Sequence, residues 1–220
     1  MDEELSREEF LDKKRDYSPF LVHLTRADEF FSAKGVLECI LEENTLRAFS
    51  YKYCLFGPNL ESQSGSLQDK FKVVCFTETP IDQIEVLLTE LERDFKPEPY
   101  GLVFQKEYVK KQGGNPVFYT PKEIAKPLWQ LYWPLCSTDT QQSSKEICKL
   151  LALVTVCEEG NDWHWEREWR TVGDLGFKLS DIYCGLCPEE GIAYFESKYS
   201  VVFLSPFWGL NKILDKLVKR

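Results

Sequence analysis

The sequence predicts an α+β fold, a single domain whose mixed, largely antiparallel sheet is flanked by helices. Its 220 residues suit one domain, and hydrophobic residues, at 43 %, are numerous enough for a packed core. Strand-like and helix-like patterns alternate in the first half of the chain, whereas short strand-like runs cluster in the second half. We therefore expect one domain over residues 1–220.

The first elements follow from charge, apolar spacing and turn residues. The charge-rich residues 1–17 predict an N-terminal helix, and the compact apolar run at 20–25 predicts a strand. A helix capped by Asp28 is expected to continue to about residue 44. Residues 56–69 are rich in Gly, Pro, Asn and Ser, so we expect a surface loop there.

The middle of the chain continues the alternation. Pro80 after Thr79 marks a helix start, and Gly113-Gly114 marks a helix end. Strands are predicted over residues 71–77, 100–104, 115–120 and 150–156, and helices over 80–95, 106–112 and 121–149. A hairpin turn is expected at 159–161, short strands at 177–179, 192–195 and 200–204, and a C-terminal helix over 206–220.

The stretch from residue 163 to residue 170 alternates in a way that favours a strand over a helix. Read as a strand, it puts Trp163, Trp165, Arg167 and Trp169 on one face, and His164, Glu166, Glu168 and Arg170 on the other. We expect the indole face to be core. The polar face is then either a solvated surface or the floor of a site.

Composition limits the function classes. The net charge of −9 argues against a broad nucleic-acid footprint. No apolar run reaches the roughly 18 residues of a membrane span, and the acidic start lacks a signal-peptide core, so we expect a cytoplasmic protein. Cys184 and Cys187 form the only close cysteine pair, and without a second pair or a nearby His they predict no metal site.

The phosphate-loop, dinucleotide, zinc-protease and nucleophile-elbow motifs are absent. Three polar elements remain: His23 with Thr25, the run from Cys75 to Pro80, and the pair Glu166 and Glu168. A carboxylate beside a ribose can stabilise an oxocarbenium-like transition state, and a strand-borne His or hydroxyl can hold the substrate. Such parts suit ADP-ribosyl transfer from NAD, while the spacing of the two glutamates alone also fits a glycosidase-like acid pair.

Four runs of the sequence, taken in order, resemble the AbiGi-type abortive-infection proteins of bacteria. They are residues 74–80 (VCFTETP), 100–106 (YGLVFQK), 114–119 (GNPVFY) and 166–170 (EREWR). The resemblance extends from about His23 to Arg170. It implies a role in phage defence, often as the antitoxin partner of a toxin.

The pattern is also similar, more distantly, to DarT-like and RNA 2′-phosphotransferase-like members of the ADP-ribosyltransferase superfamily. This likeness implies that His23 and Thr25 hold NAD, and that Glu168, or else Glu166, is catalytic. Phe76 falls where such enzymes often have a nicotinamide-stacking Tyr. Tyr119 is a further candidate for contact with NAD, although core packing is the simpler interpretation. The alternative function is a non-enzymatic antitoxin or interaction module of a toxin–antitoxin pair.

Overall fold

The computed structural model describes residues 18–89, 97–137, 142–157 and 164–218. The strands are β1 (Phe20–Leu24), β2 (Thr45–Leu46), β3 (Val73–Thr77), β4 (Gly101–Gln105), β5 (Asn115–Pro116), β6 (Phe118–Pro121), β7 (Val154–Cys157), β8 (Glu168–Val172), β9 (Leu175–Gly176), β10 (Ile182–Leu186) and β11 (Phe203–Leu204). The helices are α1 (Ala33–Glu43), α2 (Gly57–Leu60), α3 (Gly65–Asp69), α4 (Ile84–Thr89), α5 (Lys106–Lys111), α6 (Lys122–Ser137), α7 (Gln142–Ala152), α8 (Ile192–Lys198) and α9 (Leu210–Val218). The fold is mixed α/β with a mixed sheet, in agreement with the predicted α+β class.

Two predicted elements, the N-terminal helix over 1–17 and the hairpin turn at 159–161, lie outside the residues that the structure describes. Within those residues, no helix is long and apolar enough to cross a membrane.

The chain forms two compact units. The first contains residues 1–42, 78–107 and 178–220, and the second contains residues 43–77 and 108–177. Each unit has its own hydrophobic core.

The sheet of the first unit is mixed. Strand β4 pairs antiparallel with both β1 and β10, and β10 pairs parallel with β11. Val22, Val103 and Cys184 project from successive strands into a core closed by Ile84 of α4 and Ile213 of α9. These apolar side chains therefore pack the helices of this unit against its sheet.

Gly101, at the start of β4, permits a close approach of two strands. It lies opposite Leu24, and a Cβ atom added to it would lie 2.3 Å from the His23 carbonyl oxygen. Because that oxygen belongs to the main chain of β1, it cannot move aside as a flexible side chain could. Only glycine fits this position without shifting the strand pair that carries His23.

The helix predicted to begin at Asp28 begins at Ala33 instead. The Asp28 carboxylate accepts hydrogen bonds from the main-chain N–H groups of Phe30 (2.8 Å) and Phe31 (2.7 Å), which closes a separate turn before the helix. An Asp before an apolar run predicts a cap in either case, so the sequence pattern does not distinguish an isolated turn from a helix start.

The C-terminal part of the first unit differs most from the prediction. The strand predicted at 192–195 is the first turn of α8, in which Ile192 and Phe195 are buried at helical spacing. Strand β10 was not predicted, and the C-terminal helix starts at Leu210 rather than at residue 206. Short apolar runs have no period long enough to separate a strand from a helix turn, which explains the first error.

The second unit contains three groups of paired strands. Strand β8 lies between β3 and β5 and is antiparallel to both. Strands β2 and β9 form an antiparallel pair, and β6 and β7 form a parallel pair. Helices α6 and α7 connect β6 to β7, the kind of crossover that a parallel pair requires.

Residues 56–69 do not form the predicted surface loop. They contain α2 and α3, and the side chains of Phe56, Leu60 and Leu67 are buried in the core of the second unit. The turn-forming residues that suggested a loop separate two short helices. Three apolar anchors, spaced too widely to show a period, hold the segment to the core.

The strand predicted over 150–156 is displaced by three to four residues. Residues Leu150 to Ala152 complete α7, and β7 begins at Val154. The apolar sequence is continuous across this boundary, so composition gave no signal for the change from helix to strand.

Replacing Gly101 by Ala is expected to destabilise the protein by about 2–4 kcal/mol, because the new methyl group would overlap the His23 carbonyl. Urea unfolding of the two proteins measures the difference. Gly176→Ala is the matched control, since a Cβ there meets no atom within 4 Å. Equal stabilities for the two variants would contradict the close approach of β1 and β4.

Candidate functional site

The pairing of β3 with β8 decides which side chains of the second unit can act together. Thr77 lies opposite Glu168, Cys75 opposite Arg170, and Phe76 opposite Trp169. Because successive residues of a strand point to opposite faces, Glu168 and Arg170 share a face with Thr77 and Cys75. Phe76 and Trp169 occupy the other face.

Glu168 and Arg170 form a buried ion pair along this face. Nε and Nη2 of Arg170 donate to the two carboxylate oxygens of Glu168, at 2.9 and 2.8 Å, and Nη1 donates to the Ala152 carbonyl at 3.1 Å. The two side chains are only 2 % (Arg170) and 13 % (Glu168) exposed. Bidentate geometry of this kind makes the strongest hydrogen bonds between side chains, and the pair carries no net charge.

The surroundings keep Arg170 charged and the Cys75 thiol protonated. Burial opposes the charge of Arg170, but the charge and hydrogen bonds of Glu168, with other neighbours, raise its pKa above the usual value. Burial, with Glu168 next in effect, raises the pKa of the Cys75 thiol well above its usual value. Cys75 is therefore a protonated packing residue rather than a nucleophile.

The stretch around Glu168 departs from the predicted strand. Residues His164–Glu166 form a 3₁₀ turn, Arg167 has a positive φ of 46°, and only Glu168–Val172 are extended. Trp165 is 40 % exposed, so the indole face is not the core that the alternation predicted. Trp163, part of the same expectation, lies outside the described residues.

Arg170, which was predicted on the polar face, is the most deeply buried of the described residues in this stretch, which corrects the expected arrangement. A long Arg side chain can be buried when its stem packs against apolar groups and its guanidinium meets a carboxylate and a carbonyl. Arg170 meets both conditions. The positive φ at Arg167 also interrupts the alternation on which the prediction depended.

Tyr119 of β6 brings a hydroxyl group to the same region. Its ring lies 5.0 Å from the His164 ring, between centroids, and is tilted by 50°. The hydroxyl oxygen is buried and has no partner of ordinary hydrogen-bond geometry among the described residues, although the main chain of Glu168 is close enough to lower its pKa. Burial, followed by the charges of Glu168 and Glu166, raises the pKa of Tyr119 above its ordinary value. At neutral pH this group is therefore a protonated donor that has no acceptor of ordinary geometry in the described part of the chain.

Main-chain contacts hold the turn that carries Glu166. The Thr77 hydroxyl donates to the Glu166 carbonyl at 3.0 Å, and the Val117 N–H donates to the Glu168 carbonyl at 2.9 Å. These bonds tie the turn to β3 and to the chain just before β6. Sequence analysis included Thr77 only as part of the run from Cys75 to Pro80 and gave it no role, because no local pattern shows that its hydroxyl binds a carbonyl far along the chain.

We call Tyr119, His164, Glu166, Glu168 and Arg170 the polar cluster. It contains three of the residues predicted from sequence, Tyr119, Glu166 and Glu168, and adds His164 and Arg170, which were predicted only as members of a polar face. It combines two carboxylates with a guanidinium, an imidazole and a hydroxyl that lacks a partner of ordinary geometry among the described residues. The arrangement can bind a ligand oxygen and place a carboxylate beside developing positive charge.

Phe76 does not join the polar cluster. It lies on the opposite face of the β3–β8 pair from Glu168 and is 2 % exposed. A ligand beside Glu168 would be separated from Phe76 by the sheet itself.

His23 and Thr25 belong to the first unit. His23 is partly buried and pairs with Leu102 across β1 and β4. The Thr25 hydroxyl lies 3.1 Å from the Ala33 carbonyl oxygen and 3.2 Å from that of Tyr100. Because a hydroxyl has a single proton, Thr25 is committed to main-chain carbonyls that join β1 to its neighbours.

No group of three or more His, Cys, Asp or Glu side chains suited to a metal ion occurs among the residues that the structure describes. No protein-family model matches the chain, and neither the curated proteins nor the solved structures contain a match.

Replacing Arg170 by Met is expected to cost about 3–5 kcal/mol of unfolding free energy, because Glu168 would remain buried without its cation. Replacing both Arg170 and Glu168 by Met should recover most of that loss, since no unpaired charge would remain. Urea unfolding of the wild type, the two single variants and the double variant gives the coupling energy. Additive losses would show that the pair does not act as a unit.

Proposed function

We propose that the polar cluster binds the nicotinamide–ribose end of NAD, and that the protein is an ADP-ribosyltransferase-like enzyme. The observation that carries this proposal is the buried Tyr119 hydroxyl, a donor without a partner among the described residues beside two carboxylates. A buried polar group without a partner costs about 1–3 kcal/mol, a cost that a ligand acceptor would remove. The ribose hydroxyls and the nicotinamide amide both offer such acceptors.

Charge determines which carboxylate should act. The positive charge that develops on the ribose when its bond to nicotinamide breaks needs a group that is still negative. Glu168 is neutralised by the bidentate bond to Arg170. We therefore assign to Glu168 the role of positioning Arg170 and the start of β8, and the catalytic role to Glu166, the other carboxylate whose charge acts on Tyr119. This reverses the order that the resemblance implied.

The remaining groups have supporting roles. Thr77 fixes the main chain of Glu166, so the carboxylate is carried by a turn that is bonded to β3. The His164 ring packs near Tyr119 and limits the positions that the Tyr119 ring can adopt. The resemblance to abortive-infection proteins supports a role for this chemistry in bacterial phage defence, and we propose a protein or nucleic acid as the acceptor of ADP-ribose.

The purified protein should release nicotinamide from labelled NAD or transfer the label to a component of cell extract. Glu166→Gln should lower the rate by about 100-fold or more, as expected when a carboxylate that stabilises the transition state loses its charge. Tyr119→Phe should lower it by about 10-fold, the value of one neutral hydrogen bond, without loss of stability. Scintillation counting of released and protein-bound label measures both effects.

Glu61→Gln is the matched control, since Glu61 is an exposed glutamate in the same unit, outside the polar cluster. It should leave the rate unchanged. A wild-type protein that neither releases nor transfers label would refute the enzymatic proposal.

A second candidate function, a non-enzymatic interaction module of a toxin–antitoxin pair, is favoured by helix α6. One face of α6 packs into the core through Trp129, Trp133 and Cys136, yet Ile124, Leu131 and Leu135 are 55 %, 66 % and 49 % exposed on another face. A helix that is apolar on both sides is normally covered on both sides. Under this alternative, the neutral Glu168–Arg170 pair is purely structural.

Leu131→Glu is expected to abolish co-purification of a stoichiometric protein partner from the native host if α6 is the interface. Gln130→Glu, which adds the same charge to the neighbouring exposed position, is the control and should retain the partner. Affinity purification with quantitative mass spectrometry provides the measurement. Retention of the partner by both variants would exclude this face, and absence of any stoichiometric partner would exclude the module.

A further inference from the structure

Helices α6 and α7 contain two cysteines that the proposed chemistry does not use. Cys136 lies in the last turn of α6 and Cys148 in the middle of α7, and both side chains are fully buried. They belong to one hydrophobic cluster, and a side-chain hydrogen bond with Cys148 is the largest cause that raises the pKa of Cys136. Two thiols in contact on different helices are placed for a cross-link, because a disulfide needs the two Cβ atoms close together.

Helix α7 also connects this thiol pair to the polar cluster. Cys148 precedes Ala152 by four residues, about one helical turn, and the Ala152 carbonyl accepts the hydrogen bond from Nη1 of Arg170 at 3.1 Å. Arg170 in turn holds the Glu168 carboxylate. Any change in the position of α7 is therefore transmitted to Arg170 through one hydrogen bond.

We propose that Cys136 and Cys148 form a redox-sensitive dithiol, whose disulfide ties α7 to α6 and fixes the Ala152 carbonyl that positions Arg170. The oxidant is a small-molecule disulfide of the glutathione class. Its S–S bond breaks, an S–S bond forms between Cys136 and Cys148, and the two thiol protons pass to the two small thiols released. The effect on activity depends on the proposed enzymatic function, whereas formation of the disulfide does not.

The surroundings also set the rate of this reaction. The hydrogen bond with Cys148, followed by burial, raises the pKa of Cys136, so little of the reactive thiolate exists at neutral pH. Oxidation must await local opening of α6 and α7, and it should be slow in the native protein. The bond closes a short loop between the two helices, which should raise the melting temperature by about 5 °C.

The test uses the full chain, equilibrated without denaturant in buffers of increasing glutathione disulfide and then blocked with an alkylating reagent. Mass spectrometry of a non-reduced digest should reveal a peptide pair joined through Cys136 and Cys148, with the higher melting temperature reversed by dithiothreitol. Cys148→Ala should lose both effects. Cys54→Ala, which removes a third thiol of the same cluster, should keep them.

Absence of the joined peptide under native conditions, or linkage of either cysteine to Cys54 instead, would overturn the dithiol. A disulfide that forms but leaves NAD turnover the same in both redox states would overturn its connection to Arg170. If NAD turnover is absent in both redox states, the enzymatic proposal is refuted. The joined peptide and the melting temperature still show whether the two cysteines form a disulfide.

Discussion

The bidentate pair between Glu168 and Arg170 is the interaction on which the organisation of the second unit depends. Arg170 is almost fully buried, and a buried guanidinium needs both an opposite charge and acceptors for its remaining N–H groups. Glu168 supplies the charge, and the Ala152 carbonyl at the end of α7 supplies an acceptor. The pair thereby joins the central strand β8 to the helical layer. It does so by direction-dependent bonds, which apolar packing alone would not provide.

This requirement also explains the local backbone. The chain reaches β8 from a 3₁₀ turn through Arg167, whose positive φ is uncommon for a residue with a side chain. The Thr77 hydroxyl and the Val117 N–H each bind a carbonyl on one side of Arg167, those of Glu166 and Glu168. The strained residue is thus held from both sides. Such conformations persist where surrounding bonds fix them, and they concentrate at functional positions.

The sequence predicted the parts of the fold that depend on local signals. The strands carrying His23 and Phe76 appear where compact apolar runs bounded by turn residues indicated them. Helix α8, strand β10 and the two helices within residues 56–69 were missed, because their apolar residues acquire a pattern only when distant segments pack against them.

The prediction of site residues was limited in the same way, because contacts between distant segments leave no local pattern in the sequence. Tyr119, Glu166 and Glu168 could be selected by residue type, but the pairing of Glu168 with Arg170 could not, since it requires knowing which strand face is buried. The alternation itself was informative about β8, where residues 168–172 are extended. The alternation failed two residues earlier in the sequence. A single residue with a positive φ is enough to change the side of the chain to which the neighbouring side chains point.

The charge of the polar cluster is what separates the two proposed functions. If Glu168 were a free carboxylate, it and Glu166 would form a doubly negative site, and either could stabilise a cation. With Arg170 bound to both oxygens of Glu168, one of those negative charges is cancelled before any ligand arrives. A transferase built this way depends on Glu166 and on the Tyr119 hydroxyl. A purely structural role would explain the ion pair equally well, whereas a ligand site would also supply the buried Tyr119 hydroxyl with the partner that it lacks among the described residues. Because Phe lacks only that hydroxyl, a comparison of Tyr with Phe at position 119 separates a ligand site, which would use the hydroxyl, from a structural role, which would not.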